Sequence, residues 1–439
     1  MEQGRHGSRL SMRQLAIFSL PIIAYMAVEL PWRIWLPPFF AQSLGIPLAT
    51  VGTLLFAVRL FDMLADPLVG WLSDRFPTRY GMRKPWLVAS VPVTILGVWQ
   101  VFYVAPGTSL GVLAFWCVVL HAGYTLLITP HGGWGLEVGT DHHERTRIMA
   151  AKVWFAALAT PAIVLLPSVL ERKFAASRAD QLAAMGYLAI GIVLVSVVLV
   201  VRSIPEPLTQ PNALKPANPL RQLWRMACDP NMGLVLMLYG LAGFAEAASA
   251  ATFIFLTEQG LGLKGWSGSL LLIQGMMAVA AIPIWAMASG RFGKRRALTA
   301  VLAWQGLSAP LVLLLPFGGL GFFAVYLMAR NASWGADYML LRSMVADVSA
   351  NDAAQNIRRS ASYYALFNVT QKLAAALGAG GALWVLAILG FEANVAGADG
   401  GMLVRFVYGA PPVLAALTGI ALLRRSRDVT TSTTAAPVH

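Results

Sequence analysis

Hydrophobic residues occur along this chain in long runs that are separated by short polar connections. A helix rises about 1.5 Å per residue, so a run of about 20 apolar residues is long enough to cross the hydrocarbon layer of a membrane. The pattern predicts twelve such spans, at 15–40, 47–73, 86–105, 109–137, 148–170, 182–202, 231–256, 266–289, 297–316, 319–346, 361–390 and 403–423.

The longest predicted connection follows the sixth span and is rich in proline and basic residues. It divides the chain into two lobes of six helices, which is typical of secondary transporters that bind their solute between two repeats. The predicted organisation is a terminal segment at 1–14, a first lobe at 15–202, a central loop at 203–230, a second lobe at 231–423 and a tail at 424–439.

Lysine and arginine lie mainly in the even-numbered connections and at the two ends of the chain. Basic residues flanking membrane spans are retained on the cytoplasmic side. We therefore expect an integral protein of a bacterial cytoplasmic membrane with both termini in the cytoplasm. Nothing in the pattern requires more than a monomer.

The composition excludes several classes of protein. Hydrophobic residues make up 57% and charged residues 12% of the 439 residues, whereas soluble domains contain about 25% charged residues. The net charge of +13 lies in the loops, so it indicates membrane topology and not nucleic-acid binding. The chain contains no ATP-binding, zinc-protease or nucleophile-elbow motif. We expect no enzyme activity and no cofactor, so that transport depends on an ion or solute gradient.

Two acids lie one helical turn apart inside the predicted second span. Asp62 and Asp66 share a helix face with Arg59. A charge at the membrane centre costs about 2.5–3.5 kcal/mol on insertion scales, so charged residues in spans face a polar interior and are commonly functional. The sequence therefore predicts a charged, ligand-binding stripe on this helix.

Three stretches resemble one known family. They are RLFDMLADPLVGWLSDRFPTRYGMRKPW (59–86), PHGGWGLEVGTDHHERTRI (130–148) and MVADVSANDAAQNIRRSASYYALFNVTQKLAAALG (344–378). Together they resemble the glycoside–pentoside–hexuronide:cation symporters, the melibiose-permease-like branch of the major facilitator superfamily. The resemblance implies an all-α membrane protein with twelve transmembrane helices in two six-helix lobes.

The resemblance assigns roles to the acids and to a lysine. Asp62 and Asp66 match the two helix-two acids that bind Na⁺ or carry the coupled proton. The structural alternative is a salt bridge of these acids to Arg59 or to a basic residue elsewhere in the chain. Lys372 matches a helix-eleven lysine near the cation and sugar sites, where a structural ion pair is the alternative. Tyr364, Asn368 and Lys372 share one helix face by their spacing.

Lys152 stands where the family commonly has an arginine that faces the substrate. It also lies near the end of its predicted span, so the alternative is that its ammonium snorkels to the cytoplasmic interface.

The chain departs from the family where sugars bind. Met26 and Ile128 replace two acids, and Gly132 replaces a tryptophan. These losses argue against a plain disaccharide, since unpaired sugar hydroxyls in a dry pocket are costly. A Na⁺ site needs several oxygen ligands, whereas a proton needs one carboxylate. The sequence thus favours H⁺ over Na⁺ as the coupling ion, with Na⁺ at Asp62 and Asp66 as the alternative.

Other charged residues lie in or near spans. Glu29 and Arg33 either form a gate pair with each other, or Glu29 reaches the cavity. Glu246, Trp334 and Asp337 are candidate substrate contacts. Charged residues at cytoplasmic helix ends are candidates for conformational gating; they are Asp74, Arg75, Arg83, Asp347, Arg358 and Arg359.

The sequence thus predicts a secondary transporter that couples the movement of a small organic solute, a glycoside or related sugar derivative, to H⁺ or Na⁺ by alternating access. A carrier of lysolipids or other amphiphiles is one alternative. A non-transporting membrane receptor is the other, although it has no evident need for an ion-coupling acid pair. The expected partners are the solute and the lipid bilayer, with no nucleic acid.

Overall fold

The computed structural model describes residues 10–76, 78–138, 142–206, 227–344, 360–392 and 398–425. These residues form helices and, apart from one isolated bridge between Thr78 and Gly81, no strand pairing. The helices are α1 (Met12–Ile34), α2 (Leu48–Arg75), α3 (Lys84–Phe102), α4 (Leu110–Val138), α5 (His142–Phe174), α6 (Arg178–Ser203), α7 (Pro230–Phe255), α8 (Ser267–Phe292), α9 (Lys294–Ser308), α10 (Leu320–Asn331), α11 (Ser360–Ile388) and α12 (Ala398–Arg425).

Eleven stretches of helix within the described residues are long and apolar enough to cross a membrane. They correspond to the predicted spans except the tenth. The predicted helical character of the chain is therefore confirmed, and most helix ends fall within a few residues of the predicted bounds.

Three helices end in a change of helical type. After α1 the chain makes a short helical turn at Leu36–Pro38 and a π-helical turn at Phe39–Ser43. Helix α7 continues into a π-helical turn at Leu256–Gly260, and α9 continues into a 3₁₀ helix at Ala309–Leu314. Proline lacks a backbone N–H and clashes with the preceding turn, which explains why α1 does not continue as one helix to residue 40.

The predicted tenth span, 319–346, is divided into two helical pieces. Helix α10 ends at Asn331, residues 332–335 form turns, and a helix resumes at 336 and reaches 344, the last described residue of this segment. Gly335 has a φ of +74°, a left-handed conformation that glycine adopts without strain. One uninterrupted helix was therefore the wrong prediction for this span.

Two tryptophans bind the backbone carbonyls next to this break. The indole Nε1 of Trp304 on α9 donates to the carbonyl of Ala329, and that of Trp285 on α8 donates to the carbonyl of Ala332, both at 2.8 Å. Unpaired carbonyls are costly in an apolar medium. Side chains from neighbouring helices thus stabilise a non-helical turn.

The chain divides into two compact units. The first contains the described residues up to 206 together with Lys264–Gly275, the beginning of α8, and the second contains the rest of the described chain. The Glu171 carboxylate of α5 accepts the backbone N–H of Gly268 at 2.9 Å, which links the start of α8 to the first unit. The predicted lobe boundaries at 15–202 and 231–423 remain predictions.

Each unit has its own apolar core. In the first unit, Phe18 of α1 packs edge-on against Trp134 of α4, with ring centroids 5.6 Å apart, and side chains of α3, α5 and α6 complete the cluster. In the second unit, Tyr239 of α7 packs against Phe367 of α11 at 4.6 Å, within a cluster that includes side chains of α9 and α12. These cores fix the positions of the polar side chains on the same helices.

Glu206, just beyond the end of α6, binds and stabilises the turn between α2 and α3. Its carboxylate accepts the backbone N–H groups of Met82 at 2.6 Å, Arg83 at 2.5 Å and Lys84 at 3.3 Å. These donors lie at the start of α3, where N–H groups have no partner within the helix. Gly81 has a φ of +120°, and a Cβ at this residue would overlap the carboxylate. The turn therefore requires both a glycine and an anion.

Replacing Glu206 with Gln should lower the thermal stability of the protein. A neutral amide oxygen accepts weaker hydrogen bonds than a carboxylate, so we expect the free energy of unfolding to fall by about 1–2 kcal/mol. The measurement is the midpoint temperature of unfolding in detergent. Glu392→Gln, which changes an exposed carboxylate after α11, is the control. Equal midpoints for the two variants would contradict the assigned role of Glu206.

Candidate substrate and cation sites

The two acids of α2 lie against two threonines of α4. Asp62 is fully buried, and its Oδ1 accepts a hydrogen bond from the Thr125 hydroxyl at 2.8 Å. Asp66, one turn further on, is half-buried and accepts from the Thr129 hydroxyl at 3.1 Å. Both pairs are separated by the same number of residues, so the two helices run side by side in the same direction. The predicted stripe thus faces a polar stripe of α4.

Tyr124 binds the other oxygen of the Asp62 carboxylate. Its hydroxyl donates to Asp62 Oδ2 at 2.7 Å and accepts from Arg59 Nη1 at 3.2 Å. Its ring packs edge-on against Tyr25 of α1, with centroids 5.5 Å apart. Both oxygens of Asp62 therefore accept hydrogen bonds from hydroxyl groups of α4.

Arg59 lies between two carboxylates. One guanidinium nitrogen forms a buried salt bridge with Glu29 of α1, and another lies 3.7 Å from Asp62 Oδ2. Glu29 is 6% exposed. The prediction left open whether Glu29 gates the helix end or reaches the interior; the structure brings it to Arg59. Arg33 lies one turn further along α1 and is half-buried.

His121 of α4 belongs to the same cluster. It is fully buried, and its Nδ1 lies 2.6 Å from the Tyr124 hydroxyl. Its ring packs edge-on against Trp32 of α1 at 4.4 Å. The sequence analysis missed Tyr124, Thr125 and Thr129. A signal existed, because polar residues at 121, 125 and 129 recur every four positions and lie on one helix face.

Lys152 is buried in the first unit, with 8% of its surface exposed. Its ammonium donates to the carbonyl of His131 at 3.2 Å and lies 5.0 Å from the centre of the Phe18 ring. These contacts are on α1 and α4, so the ammonium points toward the core of the unit. These contacts favour an inward-facing ammonium over snorkelling, and the substrate role of Lys152 stays a prediction.

The second unit contains a polar cluster around Tyr338. Its hydroxyl donates to Glu246 Oε2 of α7 at 2.7 Å and accepts from Gln371 Nε2 of α11 at 3.1 Å. Gly243 lies close to α11, because a Cβ at this residue would lie 3.2 Å from the Cβ of Ala374. Glu246 itself is half-buried.

Asp337 lies at the start of the helical piece that follows the break. Its Oδ1 accepts the backbone N–H of Tyr338 at 2.9 Å, and its Oδ2 accepts from Gln305 Nε2 of α9 at 3.1 Å. Trp334 lies within the break and is half-buried, while the side chain of Asn331 donates to the carbonyl of Leu327. The predicted substrate contacts of this region thus lie at or next to an interrupted helix.

The helix-eleven candidates lie on α11. Asn368 and Lys372 are half-buried. The backbone of Tyr364 belongs to α11, while its side chain lies outside the described residues. Gln371, the neighbour of Lys372, belongs to the polar cluster around Tyr338.

Of the predicted gating residues, Arg83 is described in full. It is 5% exposed, donates to the Ser73 hydroxyl of α2 at 2.7 Å, and lies beside Gly133 of α4. Asp74 and Arg75 belong to the last turn of α2, but their side chains lie outside the described residues. Asp347, Arg358 and Arg359 lie wholly outside the described residues.

The part of the chain that the structure describes contains no group of three or more histidine, cysteine, aspartate or glutamate side chains arranged to hold a metal ion. The contacts given above for Asp62 and Asp66 are with hydroxyl groups of α4 and with Arg59.

A family model described as MFS/sugar transport protein matches residues 17–427 of the chain. The chain belongs to this family. It is therefore a membrane transporter and not an enzyme, and its fold is that of the major facilitator superfamily, as the resemblance to the glycoside–pentoside–hexuronide:cation symporters predicted.

Two relatives of the transporter align over most of its length. The glucuronide carrier protein homolog of Escherichia coli (strain K12) is 25% identical over 401 residues, which cover 88% of this chain and 86% of the relative. The sodium-dependent lysophosphatidylcholine symporter 1-A of Danio rerio is 23% identical over 409 residues, covering 81% and 75%.

A solved structure supports the fold. The crystal structure of the nucleoside transporter NupG matches with a TM-score of 0.69 and 13% identity, covering 94% of this chain and 99% of that one. At this level of identity the likeness concerns architecture alone.

The Glu29–Arg59 pair can be tested with a double-mutant cycle. Removing one partner of a buried pair leaves a buried charge and costs about 3–5 kcal/mol. We expect Arg59→Gln to lower the midpoint temperature of unfolding in detergent more than the double variant Glu29→Gln/Arg59→Gln does. Arg202→Gln, an exposed arginine on α6, is the control. Additive effects of the two single substitutions would contradict a direct pair.

Proposed function

We propose that this transporter is a proton-coupled symporter of a glycoside or related sugar derivative, working by alternating access. The observation that carries the proposal is Asp62: a fully buried acid in a membrane span, held by two hydroxyl donors and next to an arginine that a second acid shares. Buried ionisable residues in membrane spans are commonly functional. Asp66 is the second coupling acid.

The charges of this cluster explain how an ion could change the site. When Asp62 is ionised, Arg59 interacts with both Asp62 and Glu29. A proton on Asp62 removes one of these two attractions, so Glu29 is then the acid paired with Arg59. Protonation of Asp62 would thus alter the contact between α1 and α2 and favour entry of the solute.

The surroundings of the acids favour a proton over Na⁺. Arg59 already supplies a positive charge at Asp62 Oδ2, which opposes the binding of a metal cation at that oxygen. Na⁺ would require several further oxygen ligands. A proton requires one carboxylate oxygen, and this supports H⁺ as the coupling ion.

Several buried polar atoms support a hydroxyl-bearing solute. Glu29 Oε2 and Gln371 Oε1 are buried acceptors without a hydrogen-bond partner among the described residues. Such atoms are costly unless a ligand satisfies them. Glu246, Trp334, Asp337, Tyr364, Asn368 and Lys372 complete the proposed substrate contacts.

Lys152 supports a solute that carries an acidic group. Its ammonium is buried, and its contacts among the described residues are a carbonyl oxygen and an aromatic ring. A buried charge is stabilised by an opposite charge, so the carboxylate of a uronide would suit this position. The E. coli relative named as a glucuronide carrier homolog is consistent with that choice.

A lysolipid is the second candidate solute. Relatives named as lysophosphatidylcholine symporters align with most of this chain. Met26 and Ile128 are apolar at the positions where sugar-transporting relatives place acids, and both are half-buried. An acyl chain would suit such a surface better than a sugar ring would.

The orientation follows from the basic connections. We propose that both termini face the cytoplasm of a bacterial cell and that the protein acts as a monomer. Arg83, with Asp74, Arg75, Asp347, Arg358 and Arg359, would then belong to the cytoplasmic gate. The Glu206 carboxylate binds the backbone N–H of Arg83 and so fixes the position of this residue before α3.

Uptake in proteoliposomes tests the coupling acids. We expect Asp62→Asn to reduce gradient-driven uptake of a responding glycoside, uronide or lysolipid by at least about tenfold, and Asp66→Asn to reduce it less, because Asp66 is more exposed. Asp180→Asn, an exposed acid at the start of α6, is the control. Undiminished concentrative uptake by Asp62→Asn would make this acid structural and the proposed coupling wrong.

The identity of the ion requires a separate measurement. An inward pH gradient without Na⁺ should drive accumulation of the solute, and an inward Na⁺ gradient at equal pH on both sides should not. Arg59 would repel a metal cation at Asp62 but not prevent protonation. Accumulation driven by Na⁺ alone would reverse the assignment while leaving the carboxylates as the coupling residues.

A further inference from the structure

The ends of α9 and α12 carry exposed arginines that the proposed transport mechanism does not use. Arg296 lies in the first turn of α9, and Arg424 and Arg425 are the last residues of α12. All three are exposed, and none forms a salt bridge with a residue that the structure describes. Helices α8 and α9 contain no acidic residue, and Asp399, the acid of α12, lies at the opposite end of that helix. These helices therefore supply no opposite charge to the arginines.

Contacts between α9 and α12 bring the arginines to the same place. A guanidinium nitrogen of Arg295 donates to the carbonyl of Leu423, so the start of α9 lies beside the end of α12. Further along the pair, a Cβ at Gly306 of α9 would lie 2.8 Å from the Cβ of Ala416 of α12. The two helices thus run antiparallel, and glycine lets their backbones approach closely. The residues that follow Arg295 and Leu423 are exposed arginines, which therefore lie together at one end of the pair.

The exposed face of each helix is apolar up to its arginine. Exposed residues recur every three or four positions along both helices and so lie on one face of each. Apolar surface that a membrane span leaves exposed lies against the acyl chains of lipids. The residues one turn from the arginines are alanines, which leave the guanidinium groups accessible. The two stripes consist of Arg296, Ala300, Trp304 and Leu307 on α9, and of Leu414, Leu417, Ala421 and Arg424 on α12.

This arrangement matches the chemistry of a phospholipid. Arginine binds phosphate oxygens through parallel N–H donors and stays charged, and clusters of basic residues at the ends of membrane spans bind anionic headgroups. We propose that Arg296, Arg424 and Arg425 form a binding site for an anionic phospholipid, whose phosphate pairs with the arginines and whose acyl chains lie on the apolar stripes. A zwitterionic lipid gains less from this site, because its headgroup carries its own cation. The basic connections place the site in the cytoplasmic leaflet of the proposed orientation.

Native mass spectrometry of the full-length protein in detergent tests the proposal. With dioleoylphosphatidylglycerol and dioleoylphosphatidylcholine added at equal concentration, we expect wild type to retain at least about tenfold more of the anionic lipid. The variant Arg296→Gln/Arg424→Gln/Arg425→Gln should retain the two lipids within about twofold of each other. Arg424→Gln alone, which changes one exposed residue and leaves the packing of α12 intact, should reduce the preference about fivefold.

A matched control separates this site from the overall charge of the protein. Arg13→Gln/Arg79→Gln/Arg202→Gln removes three exposed arginines from the start of α1, the turn after α2 and the end of α6. This variant should keep the preference for the anionic lipid. Absence of the preference from wild type, its retention in both the triple and the single variant, or an equal loss in the control would overturn the proposal.

A soluble headgroup distinguishes a lipid from a free phosphate. Glycerol 3-phosphate carries a phosphate without acyl chains, so it should not displace the anionic lipid at the same concentration. Displacement would indicate a site for free phosphate groups and would also overturn the proposal. The measurement uses neither solute nor gradient, so its outcome is independent of the proposed function.

Discussion

A charge inside a membrane span is stable only when nearby groups replace the water that it has lost, and this constraint explains the polar interior of the first unit. Asp62 is satisfied by hydroxyl groups from α4 and by Arg59 from its own helix. Arg59 in turn requires Glu29 from α1. The salt bridges and hydrogen bonds among these residues thus hold α1, α2 and α4 in register.

The same constraint applies to the backbone of the second unit. The turns after α10 leave carbonyl groups without helical partners, and indole groups of α8 and α9 supply the donors. The break interrupts the helix between Asn331 and Asp337. A continuous helix would give Asp337 different neighbours. The cluster of Asp337, Tyr338 and Glu246 therefore depends on two tryptophans that are distant in sequence.

A structural feature can be predicted from the sequence when the residues that cause it are close together in the chain. The spans follow from the length of apolar runs, which the membrane itself dictates. The break at Gly335 does not, because its stability depends on Trp285 and Trp304. The role of Glu29 was undecided, since Arg33 is nearer in sequence and Arg59 is 30 residues away. By contrast, Asp62 and Asp66 are four residues apart, and so are Thr125 and Thr129. This matching spacing is present in the sequence and could have been used to predict that α2 packs against α4.

The charge balance within the first unit supplies the final step in the argument for coupling. Glu29 and Asp62 are acids, and Arg59 is the base between them, so the three together carry one net negative charge when all are ionised. Asp66 is half-buried and lies one turn further along α2. Under the proposed coupling, a proton on Asp62 would leave the three residues without net charge, and Glu29 would then be the acid paired with Arg59.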